Sequence, residues 1–505
     1  MSSVELPAAR ARWALPAAYL GVIALTAVGV NAGSHSRGVA AVLFGTVVML
    51  LAGRRLLQWP ALIASMTLII LFVPIRSYSL PASLPINLEP YRLVVAFVVG
   101  IWLASSLIDR RVRFRSSGLI DRPLTVFLTI VLVSLIANIG RVESVGSDAI
   151  KALIFLLSFV LVVYLVASVV RSQRDLDFQV DVLVYGGALV ALACVIERQT
   201  HYNVFNHLSQ FLPGLRWEGD PTLNLDARGY RVLGSSQHPI AMGVALVMLV
   251  PLALYRAFAT RRTLAWLAAV VMLMGASATI SRTAIVGLAA VVVTLVVLKP
   301  QRMRSLWPAL IPGLLVVHIA MPGTIGTITS SFFPSSGLVA QQQNAPVGSG
   351  RLATLGPALR KEFLPNPLVG EGYGTRVTTP DTVVPVPNGP ILDDGWLGIL
   401  LETGVAGAIA FLWVFVRFLR RVGHAARHDD SPRGWFLAAV CGSVAAYGVS
   451  MFFFDAESFI QVTFLFFILL GLGSAGYRLG GYDSAPSLRG RRRRSRTASP
   501  ILTGS

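Results

Sequence analysis

The chain has 505 residues, of which 54% are hydrophobic and only 13% charged, with a formal net charge of +19. A soluble globular chain carries about 25% charged residues, so this composition excludes an ordinary soluble enzyme. Repeated apolar runs long enough to cross a hydrocarbon layer of ~30 Å predict an all-α, polytopic integral membrane protein.

In chain order, apolar runs bounded by charged or Gly/Pro-rich stretches predict about 12–14 transmembrane helices. They begin near positions 13, 38, 57, 91, 123, 150, 180, 239, 264, 283, 305, 396, 435 and 459. The opening MSSVELPAARARWALPAAYLGVIALTAVGV puts basic residues before an apolar run. With no small-residue cleavage site followed by a soluble domain, it reads as a first spanning helix and not a removable signal. Cys194 and Cys441 lie far apart inside apolar runs, which supports neither a disulfide framework nor a metal site.

If the N-terminus is inside, the loops after even-numbered spans are cytoplasmic. These include RRVRFRSS, RSQRD, RAFATRR, KPQRMR, RFLRRVGHAARHDD and the tail segment GRRRRSR, and they carry nearly all of the positive excess. The charge is therefore an orientation signal that sets both termini in the cytoplasm. It is not a nucleic-acid signature, because no aromatic or groove-reading element accompanies it. The tail RGRRRRSR suits membrane lipids with anionic headgroups, at roughly 1 kcal/mol per basic residue. Lys151, Lys299 and Lys361 are the only lysines, a usage that fits a GC-rich bacterial genome.

The domain organisation follows: N-terminal transmembrane helices over 1–197, an extracytoplasmic loop over 198–238 and central helices over 239–322. A large extracytoplasmic loop with a short helix covers 323–395, C-terminal helices cover 396–476, and a basic tail without predicted order covers 477–505. The two long loops hold most of the external charge, which puts the chemistry outside.

The first loop brings Arg216, Arg228, Arg231 and His238 toward the next span, where Pro239 suits a first helical position with Ser236 or Gln237 near the cap. A helix N-terminus flanked by arginine can hold a phosphate. The plainer reading pairs these arginines with Glu218, Asp220 and Asp226. Arg282, in ATISRTAIVG, stands between two apolar runs; a cation there snorkels or has a function.

In the second loop, Leu352, Leu355, Leu359 and Phe363 follow a near-helical spacing after Arg351, with Pro357 distorting the predicted helix. LPNPLVGEGYGTR then supplies Gly370, Gly372 and Gly374, which allow tight backbone approach to a ligand or a turn, and Arg376. The following span opens ILDDGWLGILLETGVAG. One aspartate of Asp393 and Asp394 is accounted for as a helix cap, leaving the other for the external cavity. Glu402 lies roughly 12 Å deeper along a helix and needs an interior partner as buried polar support. Gly395, Gly398, Gly404 and Gly407 would let a neighbouring helix approach.

Taken together, residues 225–420 resemble the O-antigen ligase and polymerase superfamily of bacterial membrane glycosyltransferases. In the ligases the last large external loop ends in H(N/S/Q)x9Gxx(G/T/Y), and DDGWLGILLETGVAG keeps that spacing through Gly404 and Gly407. RVLGSSQHPIAMG is similar to the family's R-x-x-G stretch, SRTAIVG to its Ser-Arg turn, and RLATLGPALRKEFLPNPLVGEGYG to its Arg, helix and Pro-Leu-x-Gly-x-Gly segment. The departure is Asp393, which stands where the ligases carry histidine. An aspartate there resembles the polymerase branch and the peptidoglycan-polymerising relatives.

The resemblance implies a GT-C-like architecture in a bacterial plasma membrane. It also implies transfer of a glycan from a polyprenyl-pyrophosphate carrier to a sugar hydroxyl of a glycan or glycolipid acceptor, outside the membrane, without cofactor, metal or nucleotide sugar. Asp393 would act as base, with Asp394 as cap or support. Arg231, His238, Arg282, Arg351 and Arg376, with the Gly370 and Gly372 backbone, would hold the pyrophosphate and glycan. Having no second positioned nucleophile predicts single-step displacement with inversion. Two other classes stay open: a transporter or flippase of a lipid-linked glycan, which predicts internal repeats and deep charges, and a metal site on Asp393, Asp394 and Asp381.

Overall fold

A computed structural model describes residues 58–80, 89–108, 118–212, 215–219, 225–226, 229–308, 315, 326, 329, 351–376, 394–455 and 459–482. The spans expected near 13 and 38, most of that near 305, Asp381, Asp393 and the basic tail lie outside the described residues. The helices are α1 (Trp59–Phe72), α2 (Pro90–Ile108), α3 (Asp121–Ala137), α4 (Ile139–Val145), α5 (Ser147–Val169), α6 (Gln173–Thr200), α7 (Pro239–Thr260), α8 (Thr263–Ala278), α9 (Arg282–Leu298), α10 (Arg351–Ala358), α11 (Gly395–His428), α12 (Pro432–Ser450) and α13 (Ile460–Leu479). Among the described residues, 6 helices are long and apolar enough to cross a membrane, or 7 if α3 and α4, bent by 83°, form one span. The chain is thus an all-α multi-pass membrane protein. Several helices predicted as full spans are shorter than a bilayer requires: α1, α8 and α9 fall in the range of 10–17 residues.

The boundaries have local causes. Ser172 and Asp175 close a reciprocal capping box that starts α6, each side chain taking the other's backbone N–H at 3.1 Å. Proline occupies the first turn of α1, α7 and α12, where its missing N–H costs nothing. The helix α7 is apolar on every face and accordingly central, packed on α8, α12, α9 and α6. On the other side α13 packs on α5 and α12, and α11 lies against α12 and, antiparallel, α3. Stacked rings of Phe415, Tyr447 and Phe466 join α11, α12 and α13.

Strands are minimal. Tyr78–Ser79 (β1) pairs antiparallel with Arg216–Trp217 (β2), and Leu225–Asp226 (β3) with Gly229–Tyr230 (β4). The Tyr78 hydroxyl donates to the Phe205 carbonyl at 2.8 Å and accepts the Leu208 N–H at 2.9 Å, which stitches the loop after α6 to the end of α1.

Candidate active site

The segment before α7 is held by a buried acid. Glu197, 1% exposed near the end of α6, accepts the N–H groups of Leu233 and Gly234 at 3.1 and 2.9 Å and the Tyr230 hydroxyl at 3.2 Å. Gly234 has φ +56°, and an added Cβ would come within 2.5 Å of Cys194 Sγ. This anchoring buries Arg231, 4% exposed, whose Nε donates to the Thr279 carbonyl at 3.2 Å. Thr279 opens the turn between α8 and α9, and that turn ends in Ser281, which caps the Ala284 N–H, and Arg282, the first residue of α9. Close approach of the turn to α7 rests on Gly243, where a Cβ would stand 2.7 Å from Thr279 Oγ1. Arg231 and Arg282, 51 positions apart by their numbers, thus belong to one neighbourhood. Of the loop acids, Glu218 accepts from Ser79 at 2.5 Å.

The cap of α7 falls one or two positions later than the sequence suggests. His238 itself is the cap, its Nδ1 accepting the Ile240 N–H at 3.1 Å, and its ring stacks on Phe459 at 5.2 Å. The Nδ1 is therefore the unprotonated nitrogen. The segment carrying Phe459 continues into Gln461, whose Nε2 donates to the carbonyls of Ile70 at 2.8 Å and Ser235 at 3.3 Å.

That same segment receives the mouth of α11. The Gly395 N–H points at the carbonyls of Met451 and Phe454, 2.7 and 2.9 Å away, and Trp396 Nε1 donates to Gly448 at 2.8 Å. Asp394 is the cap: its Oδ1 accepts the N–H groups of Trp396 and Leu397 at 3.0 and 3.1 Å. Replacing Asp394 by Ala is expected to lower stability by about 1 kcal/mol, and by Ser to restore most of it. Thermal unfolding of the two variants in detergent checks this; equal midpoints would show that the cap contributes nothing.

The helix α11 is broken at Gly404, with φ +67° and ψ −173°. An unbroken helix would bond Leu401 O to Val405 N–H and Glu402 O to Ala406 N–H. Here those four groups turn outward and the glycine loop takes all of them. Glu371 and Gly372 donate to the carbonyls of Leu401 and Glu402 at 2.9 and 3.1 Å, and Val405 and Ala406 donate to Pro367 and Leu368 at 2.9 and 3.4 Å. The positive φ values of Gly370 (+70°), Gly372 (+105°) and Gly374 (+68°) belong to this splice. A Cβ on Gly370 would lie 2.5 Å from the Glu402 carbonyl carbon, and one on Gly404 2.3 Å from that of Leu368. The close approach made by Gly370 is to the backbone of α11 at Glu402 and Gly404. The expected helix neighbour of Gly404 is likewise this loop, while Gly398 faces open space.

Polar side chains gather round the splice. Glu402, 6% exposed, accepts the Gly374 N–H at 3.0 Å through Oε2, and its carbonyl also takes the Ser134 hydroxyl at 2.7 Å. Asn138, at the bend between α3 and α4, donates to Gly370 at 3.0 Å. Arg141 on α4 pairs with Glu371 at 2.8 Å, and Arg376 Nε with Glu362 Oε2 at 2.6 Å. The charges of Arg376 and Arg141 favour the Glu402 carboxylate and that of Asp455 opposes it. Arg351 is the first residue of α10, which ends at Pro357–Ala358 before a wide turn over Leu359–Phe363. Ala358, Leu359 and Phe363 pack on Leu397 and Leu401 of α11.

Burial pushes the Glu371 carboxyl above its ordinary range, while the Arg141 charge pulls it back. A carboxyl raised by folding lends stability below its ordinary value and loses it as pH rises through the folded value. Arg141→Gln removes the opposing pull, so its deficit in unfolding midpoint is expected to be larger at neutral pH than below about pH 4. A deficit equal at both values would show that the ion pair is not its source.

Beside Asp394 opens an apolar groove of about 680 Å³ along α11 and α12, lined by Leu397, Leu400, Ile409, Leu412, Val416 and Phe452, with Leu355 of α10 at the same mouth as Asp394. Arg141, Asn138, Glu362, Glu371 and Asp455 are absent from the sequence-based set. Asp455 directly follows the residue whose carbonyl holds Gly395, a proximity across 60 positions that no local pattern announces. The polar run NIGRVE after a long apolar stretch is the one signal that could have drawn attention to Asn138 and Arg141.

The sequence matches no protein-family model and no curated protein. The site must be interpreted on its chemistry.

Proposed function

We propose that the chain is a membrane glycosyltransferase that transfers or polymerises a polyprenyl-pyrophosphate-linked glycan onto a sugar hydroxyl outside the membrane. The observation that carries this reading is convergence. Arg231 bonds the turn that leads to Arg282, His238 stacks on Phe459, and the segment beside Phe459 holds the α11 mouth with Asp394. Cations suited to a leaving pyrophosphate and the helix mouth capped by Asp394 therefore lie toward one end of the bundle. An apolar groove at that mouth suits a lipid-borne substrate.

In the proposed displacement the acceptor oxygen bonds to the anomeric carbon as the bond to the carrier phosphate breaks. The hydroxyl proton goes to Asp393, and the charge leaving on pyrophosphate is met by Arg231 and Arg282. Asp394, with one oxygen given to two amides, fixes the helix mouth that Asp393 precedes by one residue in the sequence.

A lipid-linked glycan transporter is the second reading, favoured by the break in α11 at Gly404, since broken helices mark many transport sites. Against it, the freed backbone groups are occupied by the chain's own loop. Deleting the protein and exposing cells to an external glycosidase separates the two. Lipid-linked glycans that accumulate and are cleaved support transfer outside the membrane. Protected glycans support transport and overturn the transferase.

A further inference from the structure

At the end of the bundle away from the candidate active site, α11 turns basic. Arg417, Arg421, His424 and His428 follow at intervals of four, three and four, so they share one face, and Arg420 and Arg427 flank it. All but Arg417 are exposed. Antiparallel α3 begins at the same level: Arg417 Nη2 donates to the Gly118 carbonyl at 3.2 Å, and exposed Arg122 repels Arg417, as does Arg421. The acid acting on Arg417 there is Asp121, which already accepts the Gly118 N–H at 3.0 Å and bonds the Tyr164 hydroxyl. Arg417 Nε is buried with no hydrogen-bond partner among the described residues.

Among the described residues, three guanidinium groups thus gather near one committed carboxylate, an arrangement that an added anion stabilises. Membrane-ward of them the surface is apolar. Ile409, Leu412 and Val416 are 62%, 48% and 42% exposed, and Trp413 lies beside the cations, its ring centroid 6.0 Å from Arg417 Cζ. Ile409, Leu412 and Val416 also line the groove that starts at Asp394, which continues to Leu419 beside Arg420.

We infer that this end of α3 and α11 binds an anionic phospholipid, its phosphate among Arg122, Arg417 and Arg421 and its acyl chains along Trp413, Leu412, Val416 and Ile409. A zwitterionic lipid would bring its own ammonium into the same cluster of arginines, and free phosphate would leave the apolar surface uncovered. The charge complement and the continuous apolar track together select an acidic lipid.

The test uses the full chain in phosphatidylcholine vesicles, with brominated phosphatidylglycerol or brominated phosphatidylcholine as quencher. The signal is the part of the tryptophan fluorescence that Trp413→Phe removes. Quenching is expected to favour phosphatidylglycerol. Arg421→Gln, a change at an exposed side chain, is expected to reduce that preference about fivefold, and Arg417→Gln with Arg421→Gln to abolish it. Equal quenching by both lipids, or a preference that survives the double change, overturns the site. Loss of the preference on adding inorganic phosphate overturns the lipid as occupant.

Discussion

Asp393→Asn, at normal protein level, is expected to remove long surface glycan and leave its lipid-linked precursor behind. A positioned general base contributes about 10²–10⁴ in rate, so the loss should be close to complete on the time scale of growth. The neighbouring change gives the contrast. Asn in place of Asp394 still offers an oxygen to the Trp396 and Leu397 N–H groups, so it retains the cap and should cost far less. The state of the accumulated material separates two chemistries: single lipid-linked units indicate polymerisation, and long lipid-linked chains indicate ligation. Unchanged glycan in Asp393→Asn would falsify the general-base role.

Gly404→Val is expected to abolish the splice between α11 and its loop. At φ +67° and ψ −173° the position is accessible essentially to glycine alone, and a Cβ would meet the Leu368 backbone at 2.3 Å. Relief requires the loop to withdraw, after which α11 can close its own Leu401–Val405 and Glu402–Ala406 bonds while the N–H groups of Glu371 and Gly372 and the carbonyls of Pro367 and Leu368 lose their partners. Each of the four lost bonds is worth on the order of 0.5–1.5 kcal/mol, and the fold of the loop goes with them. Hydrogen exchange over 367–374 and 401–406 is the measurement: protection should vanish at Glu371 and Gly372 and persist across 401–406. Retained protection at Glu371 and Gly372 would show that the loop has not withdrawn.

Much of the helical frame was legible in the sequence. Apolar runs expected to start near 57, 91, 123, 239, 264, 283, 396, 435 and 459 open helices within three residues of those positions. The periodicity on which such readings rest is local, and so is the helix. The break at Gly404 was not legible, because apolar residues continue on both sides of TG and no proline marks it. The glycine run reads as a place of close backbone approach, but its neighbour at Gly370 is α11, some 30 residues on, and spacing within the run cannot name a distant partner. Glu402 was expected to need an interior partner and has one in the Gly374 N–H. The place of Arg141 and Asp455 is not legible in the sequence, because what brings them in is the 83° bend at Asn138 and the docking of Gly395 on the segment before α13.

The splice between α11 and its loop also bears on biogenesis. A span leaving the insertion machinery alone must satisfy its own backbone in lipid, and the sequence of α11 can do so only as an unbroken helix. Residues 367–374 are made earlier and wait without their partner carbonyls and amides. The bent form of α11 can therefore arise only after insertion, when two ladder bonds open and the waiting loop slides between them. The break is then a late maturation step, and a chain lacking the loop should insert normally yet keep α11 straight.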